Sequence, residues 1–315
     1  MALIASLLHL DFWIGVAVLA GIYGIFTLGL QLNVGFTGIL NFGQAGFMAI
    51  GAYTMGLMID GGWSLWSALP AGMLAAMLAG MLVGLPSLRL RADYFAIATL
   101  AFAEIVRYIA QNAEFTGGNQ GLIGYDRGWE RLSAWMLQRF AVWGLGGRIQ
   151  LPLLIAVWAI FAVALILLRR LQRTPWARVC RAIREDEDAA RALGKNVFFY
   201  RLQSLMIAAA LGAMAGYFLA WEVKILYPSA FDPTFTFFGY AILALGGFAS
   251  YYGVAVGTVA LWALLEGTRL TPLPLTAEQV AALRFIIVGL VLIVFMALRP
   301  QGLLGNPREI GMRRE

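Results

Sequence analysis

Residues 150–169 read QLPLLIAVWAIFAVALILLR, a run of twenty residues with no charged side chain before Arg169. At a rise of 1.5 Å per residue, a helix of this length spans about 30 Å, which is the thickness of the hydrocarbon core of a bilayer. In water the same helix would expose apolar side chains on every side. The run therefore predicts a membrane-spanning helix.

Similar apolar runs occur along the whole chain of 315 residues. Only 13% of the residues are charged and 61% are hydrophobic, whereas soluble domains carry about 25% charged residues, so a water-soluble globule is excluded. The composition predicts an all-α integral membrane protein, a polytopic bundle of about nine transmembrane helices (eight to ten) in a single domain over residues 1–315. The nine runs are 12–32, 37–59, 66–85, 94–111, 150–169, 203–222, 235–249, 253–268 and 281–298.

Basic residues are concentrated in two places. Nine lie between Arg169 and Arg201, and four more follow residue 298. Because loops rich in arginine and lysine stay in the cytoplasm, we expect residues 170–200, here called the coupling segment, and the C-terminus to be cytoplasmic. The loop 112–149 is then extracytoplasmic, and nine passes put the N-terminus outside. The N-terminal residues lack the basic start of a signal peptide, so we expect no cleavage there.

The scarce reactive side chains exclude several classes of function. The chain has one histidine, His9, and one cysteine, Cys180, so an internal disulfide, a His/Cys metal site and a histidine-based catalytic triad are not expected. Its only Gly-Lys pair, Gly194-Lys195, is followed by Asn196 where a phosphate-binding loop needs serine or threonine. We predict no catalytic residues, no metal site and no bound cofactor. The basic residues follow apolar runs, which argues against nucleic acid as a partner.

Small residues repeat every four positions along two predicted helices, Gly72 to Gly84 and Ala208 to Ala220. Such stripes let neighbouring helix backbones approach closely. The segments GFMAIGA (46–52) and GYAILAL (239–245) are similar to each other, which suggests two related halves.

The coupling segment contains a sharply delimited helix. Thr174 suits the N-cap, Pro175 the first helical position and Gly194 the left-handed position after the end. The spacing predicts one amphipathic helix supported by the i,i+4 pairs Arg181–Glu185, Arg184–Asp188 and Glu187–Arg191. Two interpretations stay open: a helix that docks on a partner, or a solvated loop helix. Asn196 is expected to cap the next transmembrane helix.

A second unusual stretch runs from Asn33 to Gln44. Glycines including Gly38 and the polar residues Asn33, Thr37, Asn41 and Gln44 interrupt an apolar region. A broken helix is tolerated at membrane depth only where protein or a cavity satisfies its backbone. The stretch is therefore a candidate for the translocation path, and the alternative is a tight interhelical turn.

Two further features carry charge or amphipathic patterning. Glu104 and Arg107 lie one helical turn apart and can pair, as a structural bridge or as part of a gate. In the loop 112–149, apolar residues recur at helical spacing and predict a helix on the outer membrane face. They are Trp129, Leu132, Met136 and Phe140.

The stretch RAIREDEDAARALGKN (181–196) resembles the cytoplasmic coupling segment of the LivM family, the permease subunits of bacterial branched-chain amino-acid ABC importers. Other stretches resemble the same family in the same order, with small departures at Asp188 and Lys195. They are GFTGILNFGQAGF (35–47), TLAFAEIVR (99–107), Asn112 with TGGNQG (116–121), and RPQGLLG (299–305).

The resemblance implies a subunit of an importer in the bacterial inner membrane. A second, homologous permease shares the path, two ATP-binding-cassette ATPase subunits bind ATP and Mg, and a periplasmic binding protein delivers the substrate. The ATPase contacts implied by the resemblance are Arg184, Glu185, Glu187, Ala189, Ala190 and Gly194. Alternatives are a permease for urea or short amides, or a self-sufficient secondary transporter; a membrane-embedded enzyme is disfavoured because the runs contain no histidine cluster.

Overall fold

The computed structural model describes residues 10–142, 147–270, 276–298 and 302–305. Within these ranges the regular structure is helical, apart from one isolated β-bridge between Leu122 and Leu226. A π-helix, Gln31–Thr37, follows α1, and three short 3-10 turns occupy Glu114–Thr116, Gly118–Gln120 and Pro228–Phe231. The α-helices are α1 Leu10–Leu30, α2 Gln44–Asp60, α3 Leu65–Ser87, α4 Ala92–Asn112, α5 Arg127–Ala141, α6 Leu151–Gln172, α7 Pro175–Glu185, α8 Glu187–Ala192, α9 Val197–Val223, α10 Thr234–Gly246, α11 Tyr251–Leu270 and α12 Ala277–Leu298.

Four helical stretches among the described residues are long and apolar enough to cross a bilayer. They are Leu10–Thr37, Leu65–Ser87, Leu151–Gln172 and Val197–Val223. A fifth is added if Pro228–Gly246 and Tyr251–Gly267, bent by 115°, form one broken span. This agrees with the predicted helical membrane protein, while the count of about nine passes stays a prediction. The run expected at 37–59 starts late, because α2 begins only at Gln44.

Helix α9 forms the centre of the bundle and packs against α1, α2 and α3. The small residues predicted to pack closely do so. A Cβ added to Gly80 of α3 would lie 3.2 Å from the Ala209 Cβ of α9, and one added to Gly212 of α9 would lie 3.1 Å from the Phe47 Cβ of α2. Because these glycines have no side chain, the helices approach more closely than leucine-lined helices could.

The helices define two ends of the molecule. At one end, the coupling end, lie α7, α8, the start of α9 and residues 302–305, whose Leu303 amide donates to the Leu245 carbonyl at 2.8 Å. At the other end, the loop end, α5 packs on the end of α9, with the rings of Trp129 and Trp221 stacked 5.7 Å apart. The helix predicted in the loop 112–149 is confirmed as α5, and its expected apolar residues are half-buried.

The segments predicted to be related lie on α2 and α10, which meet near their N-terminal ends. The Ala45 amide donates to the Thr236 hydroxyl at 3.3 Å, and the Tyr240 hydroxyl donates to the Asn41 carbonyl at 2.9 Å. No comparison of the halves tests their common origin, so the two related halves stay a prediction.

Candidate functional site

The predicted interruption between Asn33 and Gln44 is confirmed as a change of backbone conformation. The π-helix ends at Gly38, whose φ of 70° is left-handed, and regular helix resumes only at Gln44. Glycine adopts this conformation without the steric cost that a Cβ brings. In between, the Asn41 Oδ1 accepts from the Gly43 amide at 2.8 Å and stabilises a local turn. We call residues 31–43 the broken segment.

The four polar side chains predicted to line a path are fully buried against protein. Asn33, Thr37, Asn41 and Gln44 have no exposed surface. The Gln44 Nε2 donates to the Ala208 carbonyl at 2.9 Å, and its Oε1 accepts from the Asn41 Nδ2 at 3.1 Å. These contacts tie α2 to the centre of α9.

The polar side chains of the π-helix meet α9 at Ser204, which the sequence analysis missed. Its hydroxyl donates to the Asn33 Oδ1 at 3.1 Å and lies 3.1 Å from the Thr37 hydroxyl. A serine within a helix gives no local signal of a partner 171 residues away. In this conformation the buried side chains fasten the broken segment to α9, and among these residues Gly38 is exposed.

The coupling segment contains two helices, so the prediction of one continuous helix is wrong. Asp186 is extended, with φ −154° and ψ 109°, and separates α7 from α8. Its Oδ1 accepts from the amides of Asp188 and Ala189, each at 3.0 Å. An aspartate side chain competes for backbone donors and caps a new helix start. The predicted positive φ of Gly194 is confirmed at 74°, and Asn196 caps α9 through the Phe199 amide at 3.1 Å.

The break also changes the predicted ion pairs. Of the three expected i,i+4 pairs, all of them in the part of the chain that the structure describes, only Glu187–Arg191 forms. Glu187 additionally binds Arg201 of α9 at 2.8 Å, which joins α8 to the bundle. Arg181 instead donates to the Gln172 carbonyl at 3.1 Å. Because the helix breaks at Asp186, side chains of α7 and α8 no longer lie on one continuous helix face, as the predicted pair Arg184–Asp188 required.

The residues implied as ATPase contacts divide into inward and outward groups. Ala190 is buried against Ile183 and Val197 in this conformation, and its role as a contact residue stays a prediction. Glu185, Ala189 and Gly194 are exposed. Leu193, which the sequence analysis did not single out, is 78% exposed at the tip of the segment. Its position outside the apolar face of the predicted helix was visible in the sequence, although a single exposed leucine is common on protein surfaces.

Cys180 lies on the inward face of α7 and is fully buried. Burial raises the pKa of its thiol to about 12, because a thiolate would lose its hydration there. The side chain therefore packs as a small apolar group. In the described ranges, no cluster of three or more His, Cys, Asp or Glu side chains could hold a metal ion.

Arg184 joins the two predicted regions. Its Nη1 donates a hydrogen bond to the Gly35 carbonyl in the π-helix. A Cβ added to Gly38 would lie 3.1 Å from the Arg184 Cγ. Arg184 thus reaches the membrane domain in this conformation, and its role as an ATPase contact stays a prediction. The coupling segment and the broken segment are in direct contact, although 149 residues separate Gly35 from Arg184.

A cleft of about 490 Å³ opens beside this contact. It lies between α8, the turn joining α3 to α4, and residues 38–40 of the broken segment. Arg89, Arg91 and Arg191 contribute charge to its walls. The cleft leaves space next to α8 into which the coupling segment can move.

The expected pairing of Glu104 with Arg107 is confirmed. The Arg107 Nε and Nη2 atoms lie 2.8 and 2.7 Å from the Glu104 Oε2. Both side chains remain partly exposed, 45% for Glu104 and 28% for Arg107. Whether the pair serves as a bridge or belongs to a gate stays open at this point.

Comparison with known proteins identifies the family. Residues 12–296 match the family described as branched-chain amino acid transport system / permease component. The chain belongs to this permease family. The match spans α1 to α12 and includes both the broken segment and the coupling segment. It confirms the predicted family and the predicted role as a permease subunit of an ABC importer.

Curated relatives carry the same description. The permease is 34% identical over 312 residues to the high-affinity branched-chain amino acid transport system permease protein LivM of Escherichia coli K12, covering 94% of this chain and 70% of the relative. The LivM protein of Salmonella typhimurium is 33% identical with the same coverage. A probable LivM of Methanocaldococcus jannaschii is 27% identical over 278 residues, covering 76% of each chain. No solved structure matches the permease.

Proposed function

We propose that the permease moves branched-chain amino acids into the cell as one of two membrane subunits of an ATP-driven importer. Its partners are a second, homologous permease, two ATP-binding-cassette ATPase subunits that bind ATP and Mg, and an extracytoplasmic substrate-binding protein. The substrate class is that of its relatives, which are branched-chain amino acid transport permeases. The chain itself carries no catalysis and no cofactor.

The observation that carries the proposal is the contact of Arg184 with Gly35 and Gly38. Helix α7 packs against the π-helix, and Arg184 adds a hydrogen bond between the coupling segment and the broken segment. The Glu187–Arg201 ion pair joins α8 to α9. Packed elements of this kind have few discrete arrangements, so a small push at one end becomes a change of conformation. ATP-driven closure of the ATPases supplies the push, and the pathway alternates between its two openings.

The docking surface for the ATPase consists of the outward residues of the coupling segment. Leu193 is the apolar anchor, flanked by Ala189 and Gly194, with Glu185 and Asp188 as acidic residues at the rim. With 78% of its surface exposed, Leu193 presents apolar area whose removal from water would favour docking. We propose that Glu187 acts from within, since it holds α8 in place through Arg191 and Arg201.

We also propose the membrane topology. The chain forms one domain over residues 1–315 with nine passes, supplied by α1, α2, α3, α4, α6, α9, α10, α11 and α12. Residues 170–200 and the C-terminus are cytoplasmic, and the loop 112–149 is extracytoplasmic. Support comes from Arg169 and Arg170 at the coupling end of α6, as expected for a cytoplasmic boundary. The location is the bacterial inner membrane.

The path runs beside the broken segment, along the side where Leu40 and Phe42 reach the surface between α4 and α10. We propose that Asn33, Thr37, Gly38, Asn41 and Gln44 border it. Their buried hydrogen bonds to α9 and to one another keep it shut in this conformation. Movement of the coupling segment breaks these hydrogen bonds and exposes backbone amides and carbonyls of the broken segment, which then bind the passing substrate.

Reconstitution tests the proposed function. The permease is placed in proteoliposomes with and without its partner permease and ATPases, and uptake of radiolabelled L-leucine from the loaded binding protein is measured. We expect uptake only with the complete complex and ATP. Uptake by the permease alone would identify a secondary transporter. Uptake of urea or acetamide in place of leucine would identify the amide importer.

A further inference from the structure

The middle of helix α4 lies at the same level along the membrane normal as the middle of α9. A Cβ added to Gly46 of α2 would lie 2.9 Å from the Ala103 Cα of α4, and the neighbouring residue Phe47 packs on Gly212 in the middle of α9. Glu104 therefore stands at the level where α9 crosses the membrane. With 21 residues α4 is long enough to cross, yet it is not among the four apolar stretches that the described residues contain.

The side of α4 that faces away from the bundle is exposed along its whole length. It carries Ile97, Ala101, Ile105 and Tyr108, with the Glu104–Arg107 pair in the centre. Charged side chains at membrane depth face a protein partner or a water-filled cavity, because lipid cannot solvate them. We call this surface, residues 97–108, the α4 outer face. The carboxylate of Glu104, 45% exposed, favours water or a protein partner over lipid as the environment of this face.

The chemistry of the α4 outer face matches one class of ligand. Both contacts of the pair use the same carboxylate oxygen, Oε2 of Glu104. A carboxylate accepts from an ammonium group, and a guanidinium binds a carboxylate through two parallel hydrogen bonds. Ile97, Ala101 and Ile105 lie beside the charges as an apolar strip. A branched-chain amino acid carries the three complementary groups: an ammonium for Glu104, a carboxylate for Arg107 and a short aliphatic side chain for the apolar strip.

We propose that Glu104 and Arg107 form a transient binding site for the zwitterionic substrate on the α4 outer face, a reading that rests on the proposed function. Without substrate, the two side chains neutralise each other. When the amino acid arrives, its ammonium takes the place of Arg107 on the Glu104 carboxylate, and its carboxylate takes the place of Glu104 on the Arg107 guanidinium. One ion pair is replaced by two, so no charge of the substrate or of the two side chains is left unpaired in an apolar region. An intrahelical i,i+3 pair is weak enough to be exchanged in this way.

Cysteine labelling tests whether the α4 outer face is wet and contacts substrate. Cys180 is the only native cysteine and is buried, so it serves as a silent background. In the assembled complex in nanodiscs, A101C should react with a cationic methanethiosulfonate at least about tenfold faster than the control L78C, because thiolates form only in contact with water. Leu78 is exposed on α3, within an apolar span. Equal rates would overturn the proposal.

Substrate protection and pair variants distinguish a binding site from a structural bridge. L-leucine should slow the modification of A101C in the native pair but not in the E104Q/R107Q background. E104Q and R107Q should each lower leucine uptake at least about tenfold, the loss expected for a hydrogen bond to a charged group, while ATPase assembly is retained. The swapped pair E104R/R107E restores an ion pair, so full rescue of uptake would assign the residues to a bridge and refute the site.

The two proposals fail in different ways. If the unmodified complex moves no leucine, the proposed function fails, and the substrate site fails with it. If the unmodified complex moves leucine and E104Q/R107Q does so at the same rate, only the substrate site fails. If the E104Q and R107Q variants do not assemble, the labelling rates of A101C and L78C, with and without leucine, still test the substrate site.

Discussion

Replacing Gly38 with alanine tests the contact through which the coupling segment reaches the broken segment. Gly38 has a φ of 70°, and a Cβ there would lie 3.1 Å from the Arg184 Cγ. Alanine therefore introduces two separate effects, backbone strain and displacement of Arg184. Gly62 is the matched control, because its φ of 83° carries the same strain and no atom lies within 4 Å of an added Cβ.

The magnitude follows from these two terms. A left-handed conformation costs a residue with a Cβ about 1–2 kcal/mol. Accommodating the new Cβ also moves Arg184 relative to the Gly35 carbonyl that accepts its hydrogen bond, and complete loss of a hydrogen bond to a charged group costs about 1.5–3 kcal/mol. G62A should show only the first cost. The difference between the two variants corresponds to roughly a tenfold to hundredfold change in the population of the contact.

The assay is the ratio of leucine imported to ATP hydrolysed by the reconstituted complex. For G38A we expect the ratio to fall about tenfold or more while ATP hydrolysis continues, because the ATPases still dock but their movement no longer reaches the broken segment. For G62A the ratio should stay close to that of the unmodified permease. Thermal denaturation should show a loss of stability in both variants, larger in G38A.

A double-mutant cycle provides the refutation. In an R184A background the side chain that the new Cβ strikes is absent, so adding G38A should cost no more than G62A does. If G38A lowers the ratio equally in both backgrounds, Arg184 does not transmit the movement. Equal ratios for G38A and G62A in the native background would lead to the same conclusion.

Three further predictions concern docking, the thiol and helix packing. L193D should abolish co-purification with the ATPases without changing thermal stability. The control is V142D at the loop end, where Val142 is about as exposed as Leu193, and it should leave co-purification intact. Co-purification of L193D with the ATPases would reject the docking surface. Maleimide at pH 8 should modify Cys180 only after denaturation, and rapid labelling of the folded protein would contradict this. The stability that the neutral Cys180 thiol provides should decline as pH rises from about 9 toward 12, because the thiol of the unfolded chain ionises first. G216A should destabilise the permease by at least about 1–3 kcal/mol, because the new Cβ would collide with the Met48 carbonyl group of α2, whose carbon atom would lie 2.8 Å away. G289A, with open space around the added Cβ, should not destabilise it. Equal melting temperatures would show that α9 can move away from α2.

Much of the fold could be predicted because its signals are local. Apolar runs, the small-residue stripe of α9 and the helix in the loop 112–149 depend on residues a few positions apart. The interruption at Gly38 was also predictable, since glycine and asparagine favour the backbone angles found there. The exact helix starts were less accessible, and α2 begins seven residues after the start of its apolar run at residue 37.

The error at Asp186 has a physical cause. Helical spacing favoured one helix from Pro175 to Gly194, and it supported three ion pairs. Helical spacing takes no account of the competing conformation, in which the Asp186 carboxylate accepts hydrogen bonds from two backbone amides and caps the start of a second helix. Both options are local, and their free energies differ by about the value of one N-cap, roughly 1 kcal/mol. Packing of α8 against α9 through Glu187 and Arg201 then selects the broken form.

The amino-acid sequence alone determines that this chain is a helical membrane protein with a capped, charged element between two apolar runs and no P-loop of its own, because hydropathy, charge and capping act within a few residues. Tertiary structure decides which partner each long side chain takes. Arg184 can reach Asp188 one turn away or Gly35 on another helix, and it binds Gly35. That choice depends on how α1, α7 and α9 pack together, which no pattern along the chain encodes, and it links the coupling segment to the broken segment.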